Sequence, residues 1–231
     1  MQFAEDRPVR HHSGLARLFV LGGLLAAGCG GATPERAAHR QQMVVDRAAT
    51  TLDEIRQSGG APVADLLARA EAVLIFPDLV SGGFAFDALR GEGVLFARTP
   101  AGWRGPAFYS SASMSLAVQL GVGNSGAALL VMSPKVLAML LQWPSFRARA
   151  VQGAALADLA TATPDQLAHA DIVAWTETGR AAGESAIAGS EITPRNEDDT
   201  AYYGTPATAQ DVVDGKVHSP GAAALIAALG G

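Results

Sequence analysis

Residues 70–109 read AEAVLIFPDLVSGGFAFDALRGEGVLFARTPAGWRGPAFY. Short apolar runs alternate here with glycine, proline and charge. AVLIF (72–76), FAFDALR (84–90), GVLFART (93–99) and PAFYSSAS (106–113) each suit a β-strand bounded by a glycine-bearing turn. MSLAVQL (114–120) and AALLVMS (127–133) continue the series. Regular short strands with this punctuation predict antiparallel pairing. Ser133-Pro134 opens a predicted helix that runs through Trp143 and closes at Pro144. Residues 145–168 are rich in alanine and favour no single element. DIVAWTET (171–178) and ESAIAGSEIT (184–193) flank GRAAG, which reads as a hairpin. Asn196 is expected to cap a short helix ending at Tyr203, and residues 205–231 to hold two small helical pieces.

Upstream, Thr33, Pro34 and Glu35 form a helix start: a capping hydroxyl, a proline at the first position and an acid at the positive end. Val44, Val45, Ala48, Leu52 and Ile55 then recur at three-to-four spacing. That pattern predicts an amphipathic helix over 35–57, ended by Gly59-Gly60 and followed by a second helix over 62–70. The fold class that results is α+β: a single domain with a mostly antiparallel, glycine-rich β-sheet and flanking helices. The expected boundaries are N-terminal helices at 35–71, a β-rich domain at 72–204 and a helical tail at 205–231.

The first 28 residues read differently. Arg7, Arg10 and Arg17 precede ten uncharged residues, Leu18 to Ala27, and the small residues Ala26, Ala27 and Gly28 precede Cys29. A basic start, a short apolar core and a small-residue site make a secretory signal peptide. Ten residues of helix span about 15 Å, half of a bilayer core. Cys29 is the only cysteine in the chain, so it forms no intrachain disulfide. Its setting resembles the lipobox of bacterial lipoproteins, with Ala26 where the usual box has Leu. That resemblance implies cleavage before Cys29, diacylation of its thiol and a tether over residues 29–34. Gly30 rather than Asp after the Cys implies the outer membrane, facing the periplasm. A buried free thiol or an ordinary cleaved signal are the alternatives.

The chain is 49% hydrophobic and 17% charged, which is globular rather than disordered. Its net charge of −5 becomes −6 once three arginines and two acids leave with residues 1–28. Nucleic acid is excluded as a partner, since phosphate backbones demand a basic stripe. GVGNSG (121–126) matches G-x-G-x-x-G, but AALLVMS after it reads as a strand, where a dinucleotide site needs a helix. Ser125 is not in a G-x-S-x-G elbow. His39, His169 and His218 lack metal-ligand spacing, and NEDD (196–199) lacks the alternating acids of a calcium loop. His169 and Asp171 could meet on a turn, though a solvated pair is the plainer reading. The residues therefore imply neither catalysis, cofactor nor metal. Trp103, Trp143 and Trp175 suit a core or an interfacial anchor.

The ordered motifs Phe76-Pro77, Gly82-Gly83-Phe84, Gly91-Glu92-Gly93-Val94-Leu95, Gly102-Trp103 and Gly105-Pro106-Ala107-Phe108 resemble the SYLF family of lipid-binding domains. LAVQLGVGNSGAALLVM (116–132) and NEDDTAYYG (196–204) extend the likeness, and TPATAQD (205–211) is similar to a tail of the bacterial secreted branch. The chain departs at Ser81, where the family often has a basic residue, and at the hairpin tip Arg180-Ala181-Ala182-Gly183, where it often has an apolar one. The resemblance implies a non-catalytic, lipid-anchored envelope protein that contacts membrane lipids. The candidate lipid-contacting residues are Arg36, Arg40, Arg47, Trp103 and Arg180, beside the lipidated Cys29. The alternative is a structural or protein-interaction module, its protein partner unspecified, that uses lipid only as an anchor.

Overall fold

The structure is a computed structural model that describes residues 33–82, 88–113, 125–147, 153–177 and 190–230. Residues Ala32–Gly231 form one compact unit. Helix α1 (Pro34–Arg69) starts as its sequence predicts: the Thr33 hydroxyl accepts from the Arg36 N–H at 3.4 Å, and Pro34 occupies the first turn. The stripe Val44, Val45, Ala48, Leu52 and Ile55 is buried. At Gly60 the backbone turns to φ +53°, a conformation that favours glycine, and α1 kinks there. Its second piece buries Val63, Leu66 and Leu67.

Eight strands follow: β1 (Ala72–Gly82), β2 (Ala88–Thr99), β3 (Gly102–Ser113), β4 (Ser125–Val131), β5 (Phe146–Arg147), β6 (Leu156–Asp158), β7 (Ile172–Thr176) and β8 (Glu191–Pro194). They make one sheet in the order β5-β8-β3-β2-β1-β4-β7-β6. Neighbours pair antiparallel except β6 and β7, which are parallel. The helices between and after them are α2 (Pro134–Gln142), α3 (Pro164–His169), α4 (Asn196–Tyr203), α5 (Ala209–Val213) and α6 (Ala223–Gly230).

The apolar runs are continuous because both faces of the sheet are covered. Leu74, Phe76, Leu95, Leu129 and Ala174 point into a core shared with Val136 and Leu140 of α2 and Val212 of α5. Their neighbours Val73, Ile75, Val94, Phe96, Leu130 and Trp175 point the other way, onto α1 and onto Leu225 and Leu229 of α6. Period-two alternation thus serves two cores rather than a core and solvent. Pro77, in the central strand β1, has no N–H for a ladder, and the register with β2 and with β4 shifts across it.

Several expectations are corrected. No turn separates the end of FAFDALR from GVLFART, because β2 runs straight from Ala88 through Gly91 and Gly93; residues 83–87 lie outside the described residues. These glycines mark close approach instead. A Cβ on Gly91 would stand 2.7 Å from Asp78 O, and one on Gly93 2.4 Å from the Phe76 ring. Of the segments around GRAAG, β7 pairs with β4 and β8 with β3, on opposite sides of the sheet, while residues 178–189, with most of ESAIAGSEIT, lie outside the described residues. Each extends a free edge left by the four central strands, and the GRAAG tip lies outside the described residues. Asn196 is the first helical residue of α4 and not its cap. Arg195 holds the cap position without a side-chain bond, and the acids of the first turn meet the positive helix end instead. The alanine-rich stretch resolves into β5, β6 and α3, the last opened by a reciprocal Thr163–Gln166 capping box. MSLAVQL lies outside the described residues. The tail packs on the body, with Ala209, Val212, Ala222, Leu225 and Leu229 buried.

Gly93→Ala is expected to destabilise the protein by about 1–3 kcal/mol through overpacking against Phe76 and Ile75 O. Gly60→Ala, which meets nothing within 4 Å, is expected to act only through its backbone strain. Urea unfolding of both variants checks the pair; the Gly93 expectation fails if its midpoint equals that of the parent.

Candidate functional site

The bulge at Pro77 turns Asp78 toward α1, where its carboxylate meets Arg47 Nε at 2.9 Å. This pair forms one wall of an open groove of about 830 Å³. The remaining lining comes from Val80 of β1, Arg90, Gly91 and Glu92 of β2, Ser110, Ser111 and Ala112 of β3, and Arg195 before α4. Three arginines therefore face two carboxylates and two hydroxyls. Arg195 is itself held by Asp198 at 2.9 Å, and Asp198 accepts a second bond from Gln41 Nε2 at 2.8 Å. Arg90 is exposed. The groove is open and polar, suited to a hydrated anionic group rather than to an enclosed apolar ligand.

Beside the groove, α1 presents a basic stripe. Arg36, Arg40 and Arg47 are exposed and fall within about 40° of one another on a helix of 3.6 residues per turn. Met43 lies on the same stripe and is 42% exposed; Val80, in the groove, is 46% exposed. These are two of the three most exposed large apolar side chains among the described residues, Trp143 being the third.

Of the candidate lipid-contacting residues, the structure brings only Arg47 into the groove. Arg36 and Arg40 share its helix face but do not line the groove. Trp103, on β3, is buried at 7% exposure, with the Arg98 guanidinium 4.4 Å over its ring, and it belongs to the core beneath α1 and α6. Arg180 and Cys29 lie outside the described residues. Arg90 and Arg195 are the members that sequence reasoning missed. They stand far apart in the chain, and only the β2–β3–β8 pairing brings them together.

The rejected motifs are also placed. Ser125 and Gly126 open β4, so no helix follows GVGNSG. A Cβ on Gly126 would stand 3.1 Å from Thr51 of α1, which gives that glycine a packing reason. His169 Nδ1 turns to Asp165, at 2.9 Å from its carbonyl, while the Asp171 carboxylate accepts from Ala155 N at 2.8 Å, so the two do not meet. Among the described residues no three His, Cys, Asp or Glu side chains cluster as metal ligands, and no helix is long and apolar enough to cross a membrane.

A family model described as Ysc84, Las17-binding protein actin regulator, matches residues 112–231, just over half of the chain. The chain belongs to this family. It is the SYLF family that the motifs resemble, and the match spans β4 to α6. Among curated proteins nothing matches the chain.

In this SYLF domain the NEDDTAYYG segment has a role that capping does not describe. Beyond Pro194 the chain leaves β8 for α4, and the Phe108 N–H of β3 loses its strand partner. The Asp199 carboxylate accepts that N–H at 2.8 Å. Asp199 is fully buried, and its second oxygen has no partner among the described residues. Burial pushes its pKa up to about 7, against the lowering effect of the Phe108 bond, and the neighbouring Asp198 adds to the rise. Around it, Tyr203 donates to Pro106 O at 2.8 Å and Tyr109 to Leu140 O at 3.0 Å. Burial raises the pKa of both phenols.

A carboxyl whose folded pKa lies above its ordinary 3.8 stabilises the fold fully below 3.8 and loses that contribution as pH rises to about 7. Thermal unfolding from pH 4 to 8 is expected to show the parent losing stability over this window relative to Asp199→Asn. The slope is about 1.4 kcal/mol per pH unit for one proton. Parallel curves for the two proteins would remove the assignment.

Proposed function

We propose that this chain is a lipid-anchored, non-catalytic protein of the bacterial envelope whose SYLF domain binds anionic lipid headgroups. The observation that carries the reading is the groove where Arg47, Arg90 and Arg195 converge beside exposed Val80. Headgroup phosphates take charge-assisted bonds from guanidiniums, and Val80 and Met43 are placed to enter the interfacial layer. The N-terminal sequence supplies the anchor: signal peptide, acylated Cys29 and a short tether, in the outer membrane facing the periplasm. Two acyl chains hold a protein stably, and tethering raises the local concentration of headgroups, so a shallow groove suffices. A protein-docking role is the second reading, favoured by the Las17 binding in the family's description.

Ala32–Gly231 is one compact unit, so it is tested without the anchor. It is expected to co-sediment with vesicles containing phosphatidylglycerol and not with pure phosphatidylcholine, less so at high salt. The Arg47→Gln/Arg90→Gln/Arg195→Gln variant is expected to lose about a hundredfold, at roughly 1 kcal/mol per arginine. Binding to neither vesicle would leave the docking role standing. Mass spectrometry of membrane-extracted full-length protein should find an acylated N-terminal peptide beginning at Cys29; an unmodified thiol there rules out the anchor.

A further inference from the structure

The groove has a buried acid behind it. The Asp199 carboxylate accepts from the Phe108 N–H, and Phe108 is two residues along β3 from Ser110, about 7 Å at the rise of a strand. Ser110 lines the groove. Asp198, the neighbour of Asp199 on α4, holds Arg195 of the groove at 2.9 Å through Oδ2. Its Oδ1 accepts from Gln41 Nε2 of α1 at 2.8 Å. Asp199 is therefore tied to the groove along two elements, through β3 to Ser110 and through α4 to Arg195.

The seam between α4, β3 and α1 offers this carboxylate a single donor. Asp199 is fully buried, its Oδ2 has no partner, and no cation pairs with it among the described residues. Tyr109 on β3 and Tyr203 on α4 face it, but their hydroxyls donate elsewhere, to Leu140 O and Pro106 O, and burial keeps both phenols neutral. Asp198 is the remaining acid, and its charge acts on Asp199. From α1 come the uncharged Gln41, whose buried Oε1 also lacks a donor, and Asp46, whose charge acts on Tyr202. One hydrogen bond does not offset the burial of a charge, so this carboxyl takes up a proton near neutral pH. That proton removes a negative charge from behind Arg195.

We propose that Asp199 is a proton switch for the groove. With Asp199 neutral, the Arg195 guanidinium answers to Asp198 and to an anion in the groove. With Asp199 ionised, a second negative charge stands behind Arg195, and that anion is held less tightly. Linkage makes the effect reciprocal: an anion in the groove draws the proton onto Asp199. Acid therefore favours binding, and binding weakens as pH rises through neutral. The switch rests on the headgroup reading for its ligand and on the α4 seam for its mechanism.

Carbon-detected NMR of labelled Ala32–Gly231, without ligand, follows Asp199 Cγ and Arg195 Cζ from pH 5 to 9. Both signals are expected to move with one midpoint. The Arg195 signal is expected to stay flat in Asp199→Asn, which keeps an acceptor for the Phe108 N–H and cannot ionise. The shared midpoint is read in the parent alone, so it holds whether or not the variant folds. Phosphatidylglycerol vesicles, whose charge is constant over this range, are the ligand probe. Between pH 5.5 and 8.5 the parent's binding is expected to fall about fivefold more than that of Asp199→Asn, the low end of ordinary coupling between sites. The variant retains His39, His169 and His218 and so sets the baseline. An Asp199 signal that does not titrate, an Arg195 signal that ignores it, or equal falls in the two proteins overturns the switch. No vesicle binding at either pH defeats the headgroup reading alone, and the Arg195 signal then decides the switch.

Discussion

Two aromatic rings lying across two glycines set the geometry of the sheet. Phe76 of β1 covers Gly93 of β2, and Phe96 of β2 covers Gly105 of β3; a Cβ on either glycine would come within 2.5 Å of the ring. Phe76 belongs to the core under α2, Phe96 to the core under α1. The pairs therefore clamp the three central strands from opposite faces. A ring takes the place of the missing side chain, which restores packing that glycine forfeits in a strand. Pro77 sits beside the first pair, and the register shift it forces points Asp78 at Arg47. The groove is thus a by-product of the same close packing that excludes side chains at Gly91 and Gly93.

The strands were legible because their apolar runs are short and punctuated. Their pairing was less so. Gly91 and Gly93 look like a turn to any rule that treats glycine as punctuation, yet here Gly93 answers the Phe76 ring and Gly91 the Asp78 carbonyl and Leu79 on the next strand. Likewise GRAAG between two apolar stretches carries a hairpin pattern, while β7 and β8 go to opposite edges because β4 and β3 each need an outer neighbour. Local pattern does not encode which free edge a strand will take. Helix α1 was the clearest element: cap, proline, stripe and glycine stop all agree, and the kink falls on the second glycine of the predicted stop.

The candidate site was partly legible for a related reason. Arg47 could be suspected from its place on an amphipathic helix. Arg90 and Arg195 join it only through strand register, and Trp103 belongs to the core because both sheet faces are covered. Asp199 shows the opposite case. Among four polar residues at a helix start, NEDD, nothing in composition marks the third acid as buried. It goes inside because Pro194 ends β8 one residue short of Phe108, and a carboxylate is the acceptor that stands in for the missing strand.

The charge distribution bears on the proposed approach to a membrane. The whole chain is acidic, at −5, yet Arg47, Arg90 and Arg195 converge in the groove and Arg56 and Arg98 line a cavity beside the Gly60 kink. At physiological ionic strength charges are screened beyond about 8 Å, so the net charge repels an anionic surface only weakly at a distance. Within that distance the local pattern governs: α1 carries five arginines and five acids, and the excess of arginine is local to the groove, where three arginines face two carboxylates. Such a short-ranged attraction recruits poorly from solution but orients well once the protein is already at the surface. Under the proposed reading, an acyl tether at Cys29 would supply proximity and the arginines of the groove would supply direction.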